Sequence, residues 1–373
     1  MNYQNIIRYT HHRAVITASI IAAVLASLVI PATTQACTGI VLHAENGGTV
    51  IGRTMEFGFD IESQIAVFPA GESFTTLALN NEFEGFTYTS KYGFVGATAL
   101  GLPVVVDGVN EEGLYFGGFY FNGLAKFAEV SKQNQENAIS SEELGNWILG
   151  NFATVEAVRG ALNAVTVVGT PIADLGGGPA PLHYAITDAS GQSVVVEYSE
   201  AGLRIHDNTV NAVTNNPSYD WMLTNLRNYI GLSDINRGAI TVGDQVLKPF
   251  GQGTGMFGLP GDYSSPSRFV RAVALANTTF AAANAEDSVE SAFHVMSNFD
   301  IPKGAIREAD RDSKLFDYTQ WIMITDTQNK VLYWKAHGTQ RIEKLDVGEA
   351  LKSVSKATFL PLETGFQAFD RTP

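Results

Sequence analysis

The sequence has little cysteine and little positive charge. Its 373 residues contain one cysteine, Cys37, and 24 lysines and arginines against 38 aspartates and glutamates, a formal net charge of −14. A single cysteine excludes an intrachain disulfide framework. The negative charge argues against nucleic acid or an anionic membrane as the main partner, because both would repel it.

Familiar metal and cofactor motifs are also missing. The chain contains no HExxH, no CxxC and no GxxxxGK[ST], the short signatures of zinc and phosphate sites. The segment "GQGTG" at 251–255 lacks the third glycine of a dinucleotide-binding loop, and we interpret it as a tight turn. We therefore expect neither a metal nor a cofactor.

Long apolar runs are absent after the N-terminus. The one such run, Ala14 to Ile30, follows Arg8 and Arg13, and the first 36 residues contain no acidic side chain. This pattern predicts a cleaved export signal, with a membrane-spanning helix as the alternative. Small residues at the first and third positions of Thr34-Gln35-Ala36 favour cleavage after Ala36, and hence a periplasmic or secreted product without a membrane segment.

The remainder, residues 37–373, has no internal repeat and no Pro/Ser-rich linker, which predicts a single domain. Short β-branched segments at Thr38–Leu42, Val50–Arg53 and Gln64–Phe68 predict an opening antiparallel meander. "SSEE" at 140–143 is typical of a capping box before a helix. Further strands are predicted at 115–121, 183–199 and 321–336, and helices at 267–300. This order indicates an α+β fold with antiparallel sheets covered by segregated helices.

The lone cysteine could act as a catalytic nucleophile if the signal is removed. Cys37 would then be the first residue, with its own α-amine beside its thiol. The ordinary pKa values of an α-amine and a thiol are about 7.7–8.0 and about 8.5, so the amine can act as general base for the thiol near neutral pH. Pairing with a remote histidine is the alternative, but none of the histidines lies in a recognisable local signature. Those of the expected mature chain outside the signal are His43, His183, His206, His294 and His337.

Two other interpretations of Cys37 remain open at this point. Lipoprotein signals also end directly before a cysteine, but they favour a leucine-like residue where this chain has Thr34. The thiol could also be a buried structural group. A lipoprotein anchored through Cys37 and without catalytic activity is therefore the alternative to an enzyme.

Four separated segments resemble the choloylglycine hydrolase family, which contains conjugated bile salt hydrolases and penicillin V acylases. They are "CTGIVL…GRTMEFG" from residue 37, "GVNEEGLYFGGFYF" at 108–121, "VTNNPSYDWMLTNLRNYIGL" at 213–232 and "GQGTGMFGLPGDYSSPSRFVRA" at 251–272. The resemblance runs in order along nearly the whole expected mature chain. It implies an N-terminal-nucleophile hydrolase with a four-layer αββα sandwich of two antiparallel sheets.

The resemblance also implies roles for individual residues. Cys37 is the expected nucleophile, and Arg53 is the cation beside its thiol. Asn215 is expected to donate its side-chain amide to the oxyanion of the tetrahedral intermediate. Arg268 matches a second arginine that organises charge around the nucleophile.

Two positions depart from the commonest family pattern. Glu56 replaces an aspartate that is implied to hold the α-ammonium group. Tyr120 stands where bile salt hydrolases carry asparagine and penicillin V acylases carry tyrosine, and its backbone N–H is the expected second oxyanion donor. Phe57, Phe59 and Phe119 are expected to wall an apolar acyl pocket.

The sequence therefore predicts an exported amidase acting on linear, non-peptide amides. Its substrate is expected to be a small-molecule amide of the penicillin V type, with N-acyl homoserine lactones as a natural class. A conjugated bile salt hydrolase is the alternative enzyme. The segment at 232–255 resembles the arm through which family members form tetramers, so we expect a homo-oligomer.

Overall fold

Two antiparallel sheets form the centre of the computed structural model, which describes residues 36–76, 85–309, 312–362, 365–366 and 368–372. The strands are, in chain order, β1 (Cys37–His43), β2 (Thr49–Phe57), β3 (Gln64–Phe68), β4 (Ser73–Thr75), β5 (Thr87–Thr89), β6 (Phe94–Ala99), β7 (Leu102–Asn110), β8 (Tyr115–Tyr120), β9 (Ala138–Ser140), β10 (Thr166–Val168), β11 (Leu182–Thr187), β12 (Ser193–Ser199), β13 (Gly202–Asp207), β14 (Ala212–Val213), β15 (Ile240–Val242), β16 (Gln245–Leu247), β17 (Tyr318–Asp326), β18 (Val331–Ala336), β19 (Glu343–Asp346) and β20 (Thr358–Pro361). The α-helices are α1 (Leu144–Asn151), α2 (Val155–Ala161), α3 (Tyr219–Asn225), α4 (Ser265–Thr278), α5 (Ala285–Met296) and α6 (Val347–Ser353).

The first sheet has the strand order β14-β1-β2-β17-β18-β19, and the second has the order β13-β12-β11-β8-β7-β6-β3-β20. All neighbours within these two sheets pair antiparallel, so the predicted α+β class is confirmed. The predicted meander of β1, β2 and β3 is wrong, because β2 pairs with β1 on one side and with β17, not β3, on the other. The chain instead crosses to the second sheet, where β3 pairs with β6 and β20.

Helices cover both outer faces. On the first sheet, α4 and α5 pack against β1 and β2, while α1 packs against β7 and β8 of the second sheet. The resulting αββα layers agree with the predicted sandwich. The largest core cluster joins the facing sides of the sheets to α4 and α5, and a second large cluster lies between the second sheet and α1 and α2. In the part of the chain that the structure describes, no helix is both long and apolar enough to cross a membrane.

Two helix predictions need correction. The helical stretch at 267–300 is two helices, since α5 starts anew with the Asn284 side chain accepting from Asp287 N at 3.0 Å. The capping box does not form: the Ser140 hydroxyl donates to Glu143 Oε2 at 2.6 Å, and Glu143 caps α1 without a side-chain bond. The predicted signal lies outside the described residues, except for Ala36.

Candidate active site

Cys37 is the first residue of β1, which lies between β14 and β2. It pairs with Met55 of the neighbouring strand β2 and is 3% exposed. Its Sγ atom lies 3.9 Å from Met55 Sδ and 3.8 Å from Arg53 Nη2. Because side chains alternate along a strand, Arg53 and Met55 share the face on which the thiol lies. The β1–β2 register therefore places a cation beside the only cysteine.

The guanidinium of Arg53 is held by the second sheet. Nη1 donates to Val106 O at 2.5 Å and lies 3.3 Å from Asp107 Oδ2, and Nη2 donates to Gly118 O at 2.5 Å. Burial opposes the charge, but the nearby Cys37 and Asp107 side chains keep the pKa of Arg53 above its ordinary value. Arg53 therefore presents a fixed positive charge to the sulfur.

Asp107 is a site residue that sequence reasoning missed. Its side chain is buried, and Oδ2 accepts a 2.6 Å hydrogen bond from the Tyr115 hydroxyl in addition to its contact with Arg53. The available signal was the stretch "VVVDGVN" at 104–110, where one carboxylate interrupts an apolar strand. A buried charge of this kind needs a partner, and a buried arginine supplies one.

Asn215 and Arg268 meet the backbone of Cys37. The Cys37 N–H donates to Asn215 Oδ1 at 2.7 Å, and Asn215 Nδ2 donates to Tyr120 O at 2.9 Å. Arg268 Nη2 donates to the same Asn215 oxygen at 2.7 Å, while Nη1 donates to Cys37 O at 2.5 Å and to Thr38 Oγ1 at 2.8 Å. Arg268 thus joins α4 to β1 and orients the Asn215 amide, whose Nδ2 has two hydrogens to donate.

Glu56 flanks the peptide bond between Ala36 and Cys37. Its backbone N–H donates to Ala36 O at 3.1 Å, and its Oε1 accepts from Thr319 Oγ1 at 2.9 Å. Oε2 has no hydrogen-bond partner among the described residues. Burial raises the pKa of Glu56 to about 8, although the Arg268 charge acts in the opposite direction. That Glu56 binds the α-ammonium group of Cys37 stays a prediction. The backbone of Glu56 lies beside the peptide bond that contains the Cys37 nitrogen.

A small apolar cavity with about 60 Å³ of free space adjoins the thiol. It is lined by Cys37, Arg53, Met55, Glu56, Phe57, Ile61, Ala99, Leu100, Leu102, Val104, Val106, Gly118, Tyr120, Glu142, Ile172, Leu175, Ala180 and Leu182. The rings of Phe57 and Tyr120 meet edge to face, with centroids 6.0 Å apart.

Of the three phenylalanines predicted to wall the pocket, the structure brings Phe57 to the cavity. Phe59 packs edge-on against Phe57 at 4.8 Å and is not among the lining residues. Phe119 is fully buried in the core, with the Arg53 guanidinium 4.5 Å from its ring centroid. Phe119 and Tyr120 are adjacent in β8, so strand alternation directs them to opposite faces.

No histidine of the described chain lines this cavity or bonds the thiol. His183 and His206 instead flank the buried Glu197 carboxylate at 3.5 and 3.4 Å. His183 Nε2 lies 2.8 Å from Thr214 O, so this nitrogen carries the proton and donates. His183 thereby hydrogen-bonds the backbone immediately before Asn215.

The family model that matches residues 37–358 is described as linear amide C-N hydrolases, choloylglycine hydrolase family. A bile salt hydrolase/transferase from Clostridium perfringens is 30% identical over 317 residues, which cover 84% of this chain and 93% of the relative. A penicillin V acylase from Pectobacterium atrosepticum is 28% identical over 262 residues, or 68% of this chain and 62% of the relative. The crystal structure of a conjugated bile acid hydrolase variant from Clostridium perfringens superimposes with a TM-score of 0.79 at 26% identity, covering 90% of this chain and 100% of that one.

Proposed function

The chain belongs to the choloylglycine hydrolase family of linear amide C–N hydrolases, and we propose that it cleaves amides of narrow, apolar acyl groups with Cys37 as nucleophile. The observation that carries this proposal is the cavity, which joins the thiol and the Arg53 cation to apolar walls. Such a cavity holds an acyl chain by burial and orients its carbonyl at the few polar groups. Penicillin V and long-chain N-acyl homoserine lactones are the proposed substrate types.

In the proposed reaction the Cys37 sulfur attacks the amide carbonyl, while Arg53 stabilises the negative charge of the thiolate. The α-amine of Cys37 accepts the thiol proton and delivers it to the leaving nitrogen, so that the C–N bond breaks and a thioester forms. The Asn215 side-chain amide donates to the oxyanion, and we assign the Tyr120 backbone N–H as the second donor. Water then attacks the thioester, which releases the carboxylic acid and returns a proton to the sulfur.

This chemistry requires a free amine on Cys37, and we propose that export with removal of residues 1–36 supplies it. The carbonyl of Ala36 accepts from Glu56 N, so the bond to be cut lies beside the backbone of Glu56. The released ammonium has Asn215 Oδ1 as an acceptor and is a counter-charge for Glu56. The mature enzyme is then periplasmic or secreted.

Bile salt hydrolysis is the second candidate, favoured by the names of the Clostridium perfringens relative and structure. The cavity supports a narrower acyl group, because the Phe57 and Tyr120 rings pack together at its wall. A phenoxyacetyl group or a fatty acyl chain needs less width than a steroid. Shape discrimination of this kind separates substrates by differences in transition-state binding.

We expect the processed enzyme to hydrolyse penicillin V with a higher kcat/KM than glycocholate, in a panel that includes long-chain N-acyl homoserine lactones. Tyr120→Asn should shift this ratio toward glycocholate by about tenfold, since loss of the ring opens the wall. Tyr120→Phe keeps the ring and serves as the matched control with an unchanged ratio. A wild-type preference for glycocholate would favour bile salt hydrolysis. An unchanged ratio in Tyr120→Asn would show that Tyr120 does not determine the choice of substrate.

The segment at 230–257 carries a cluster of large apolar side chains on its surface. The exposed ones are Ile230, Ile235, Ile240, Val242, Val246, Leu247, Phe250 and Phe257. Its strands β15 and β16 pair with each other, and all their residues are exposed. An apolar surface of this kind is typical of a protein interface, and we propose that it joins copies of this chain into a homo-oligomer, of which a tetramer is the favoured form.

Light scattering after gel filtration is expected to show an oligomer that dissociates in the double variant Ile240→Lys/Leu247→Lys. These residues pair across the hairpin, so their side chains share a face. Gln133→Lys, at an exposed position outside this segment, is the control and should leave the oligomer intact. A monomeric wild type would contradict the assembly.

A further inference from the structure

A buried histidine contacts the chain next to both groups assigned above as oxyanion donors. His183 belongs to β11, and its Nε2–H donates at 2.8 Å to Thr214 O, the carbonyl of the peptide bond that leads into Asn215. The same ring stacks on the Phe121 ring, with centroids 4.5 Å apart and an angle of 9° between the planes. Because Phe121 directly follows Tyr120, one side chain adjoins the residues that carry both donors.

The backbone of Tyr120 faces Asn215, since Asn215 Nδ2 donates to Tyr120 O at 2.9 Å. The next N–H along the chain, that of Phe121, points toward β11 and donates to Pro181 O at 2.6 Å. In a strand the N–H and C=O of one residue point to the same edge, and those of the next residue point to the opposite edge. Strand geometry therefore directs the Tyr120 N–H to the side of Asn215. The distance between the two donors then depends on how the Asn215 backbone is held against β8.

A buried carboxylate holds the far end of the segment that carries Asn215. Glu197 lies on β12, the strand that pairs with β11, and its Oε1 accepts from Tyr219 N at 2.8 Å. The same oxygen lies 3.5 Å from His183 Nδ1. His183 and Glu197 thus contact the segment 214–219 at its first and last residues. A backbone fixed at both ends by buried groups holds a donor in place before substrate binds, as stabilisation of an oxyanion requires.

We propose that His183 is a positioning residue that fixes the distance between the two oxyanion donors, the Asn215 side-chain amide and the Tyr120 backbone N–H. The inference rests on the proposed function, since it takes these two groups as the donors. His183 itself exchanges no proton with the substrate, because its ring is buried, bonds a backbone carbonyl and does not line the cavity. Its effect falls on the transition state, in which the negative charge of the oxyanion develops.

The test separates the hydrogen bond of His183 from its ring. His183→Phe keeps a ring against Phe121 and removes the donor to Thr214 O, whereas His183→Gln keeps a donor and removes the ring. With the amide that the wild type hydrolyses fastest in the panel above, we expect His183→Phe to lower kcat by about 10- to 100-fold and to change KM by less than about twofold, the result of a small misplacement of catalytic groups. His183→Gln should retain kcat to within about threefold. His183→Asn, whose shorter amide does not reach Thr214 O, is a second variant without the donor and should be as slow as His183→Phe.

A second measurement reports on the oxyanion site itself. An aldehyde with the same acyl skeleton binds as a transition-state analogue: the Cys37 sulfur bonds to its carbonyl carbon, the thiol proton moves to the α-amine, and the carbonyl oxygen becomes the oxyanion. We expect the Ki of this aldehyde to rise in His183→Phe by about the factor by which kcat falls. Calorimetry on processed Cys37→Ala proteins should give the same Kd for the amide with and without His183→Phe.

Tyr184→Phe is the matched control. Tyr184 is the next residue of β11, is fully buried and donates its hydroxyl to Ser141 O at 2.8 Å, so this variant also removes one buried bond to a backbone carbonyl. It should lower the melting temperature to a similar extent and leave kcat unchanged. An unchanged kcat and Ki in His183→Phe and His183→Asn, or an equal loss of kcat in Tyr184→Phe, would overturn the role of His183 even if amides are hydrolysed. A wild type that neither hydrolyses an amide of the panel nor binds the aldehyde would overturn the proposed function, and the role of His183 with it.

Discussion

Cys37→Ala is expected to lower kcat/KM for amide hydrolysis by at least about 10⁴-fold, the scale seen when an enzyme loses its nucleophile. The thiol is the only sulfhydryl of the chain, and it adjoins both the Arg53 charge and the acyl cavity. If water attacked the amide directly, no thioester intermediate would form, and the nucleophile would not be positioned by the β1 backbone. The measurement is release of the amine product at saturating and subsaturating substrate.

The fold of this variant should survive, because the substitution removes one sulfur atom from a side chain whose sulfur contacts are Met55 and Arg53. Thermal unfolding by circular dichroism checks this point, and we expect a loss of stability of about 1 kcal/mol. Cys37→Ser is the conservative comparison, since its hydroxyl is a weaker nucleophile at neutral pH. Wild-type rates in a folded Cys37→Ala protein would place the nucleophile elsewhere.

The β1–β2 part of the site could be predicted from sequence because short-range rules govern it. Strand alternation and the short connection between the strands bring Arg53 to the face of Cys37. Asn215 and Arg268 lie in distant segments, and they were predicted from the resemblance of those segments to the family. The structure places both of these side chains on the Cys37 backbone. Local patterns alone would not have joined them, since they come from separate loops and helices.

The failures share a cause, which is that local pattern does not report long-range pairing. The β-branched segment at Gln64–Phe68 is a strand, but β17, from the far end of the chain, decides which sheet it joins. "SSEE" resembles a helix start with a capping box, yet the Ser140 hydroxyl bonds the Glu143 carboxylate and Glu143 caps α1 without a side-chain bond. Asp107 was overlooked because its partner Arg53 comes from the other sheet.

One residue retained before Cys37 should inactivate the enzyme. The amine would then be an amide, which has no basicity near neutral pH and cannot relay the thiol proton; loss of general base catalysis costs about 10²–10⁴-fold in rate. In the unprocessed chain the Cys37 N–H already donates to Asn215 Oδ1 at 2.7 Å, so the added residue should leave the surrounding fold in place. We therefore expect a folded protein whose kcat is lower by this factor.

The experiment uses a leaderless protein with one alanine before Cys37 and a matched version in which a site-specific protease exposes Cys37 itself. Intact mass establishes the N-terminus of each sample before and after assay, because self-trimming would restore activity. Recovery of kcat on exposure of the amine, with equal melting temperatures, supports the amine as the base. Full activity of a sample whose mass still includes the alanine would exclude it, and a diacylglyceryl mass on Cys37 in protein from the native full-length chain would favour the lipoprotein alternative. Since a lipid-modified cysteine has no free thiol, that last result would exclude Cys37 as nucleophile in the exported protein.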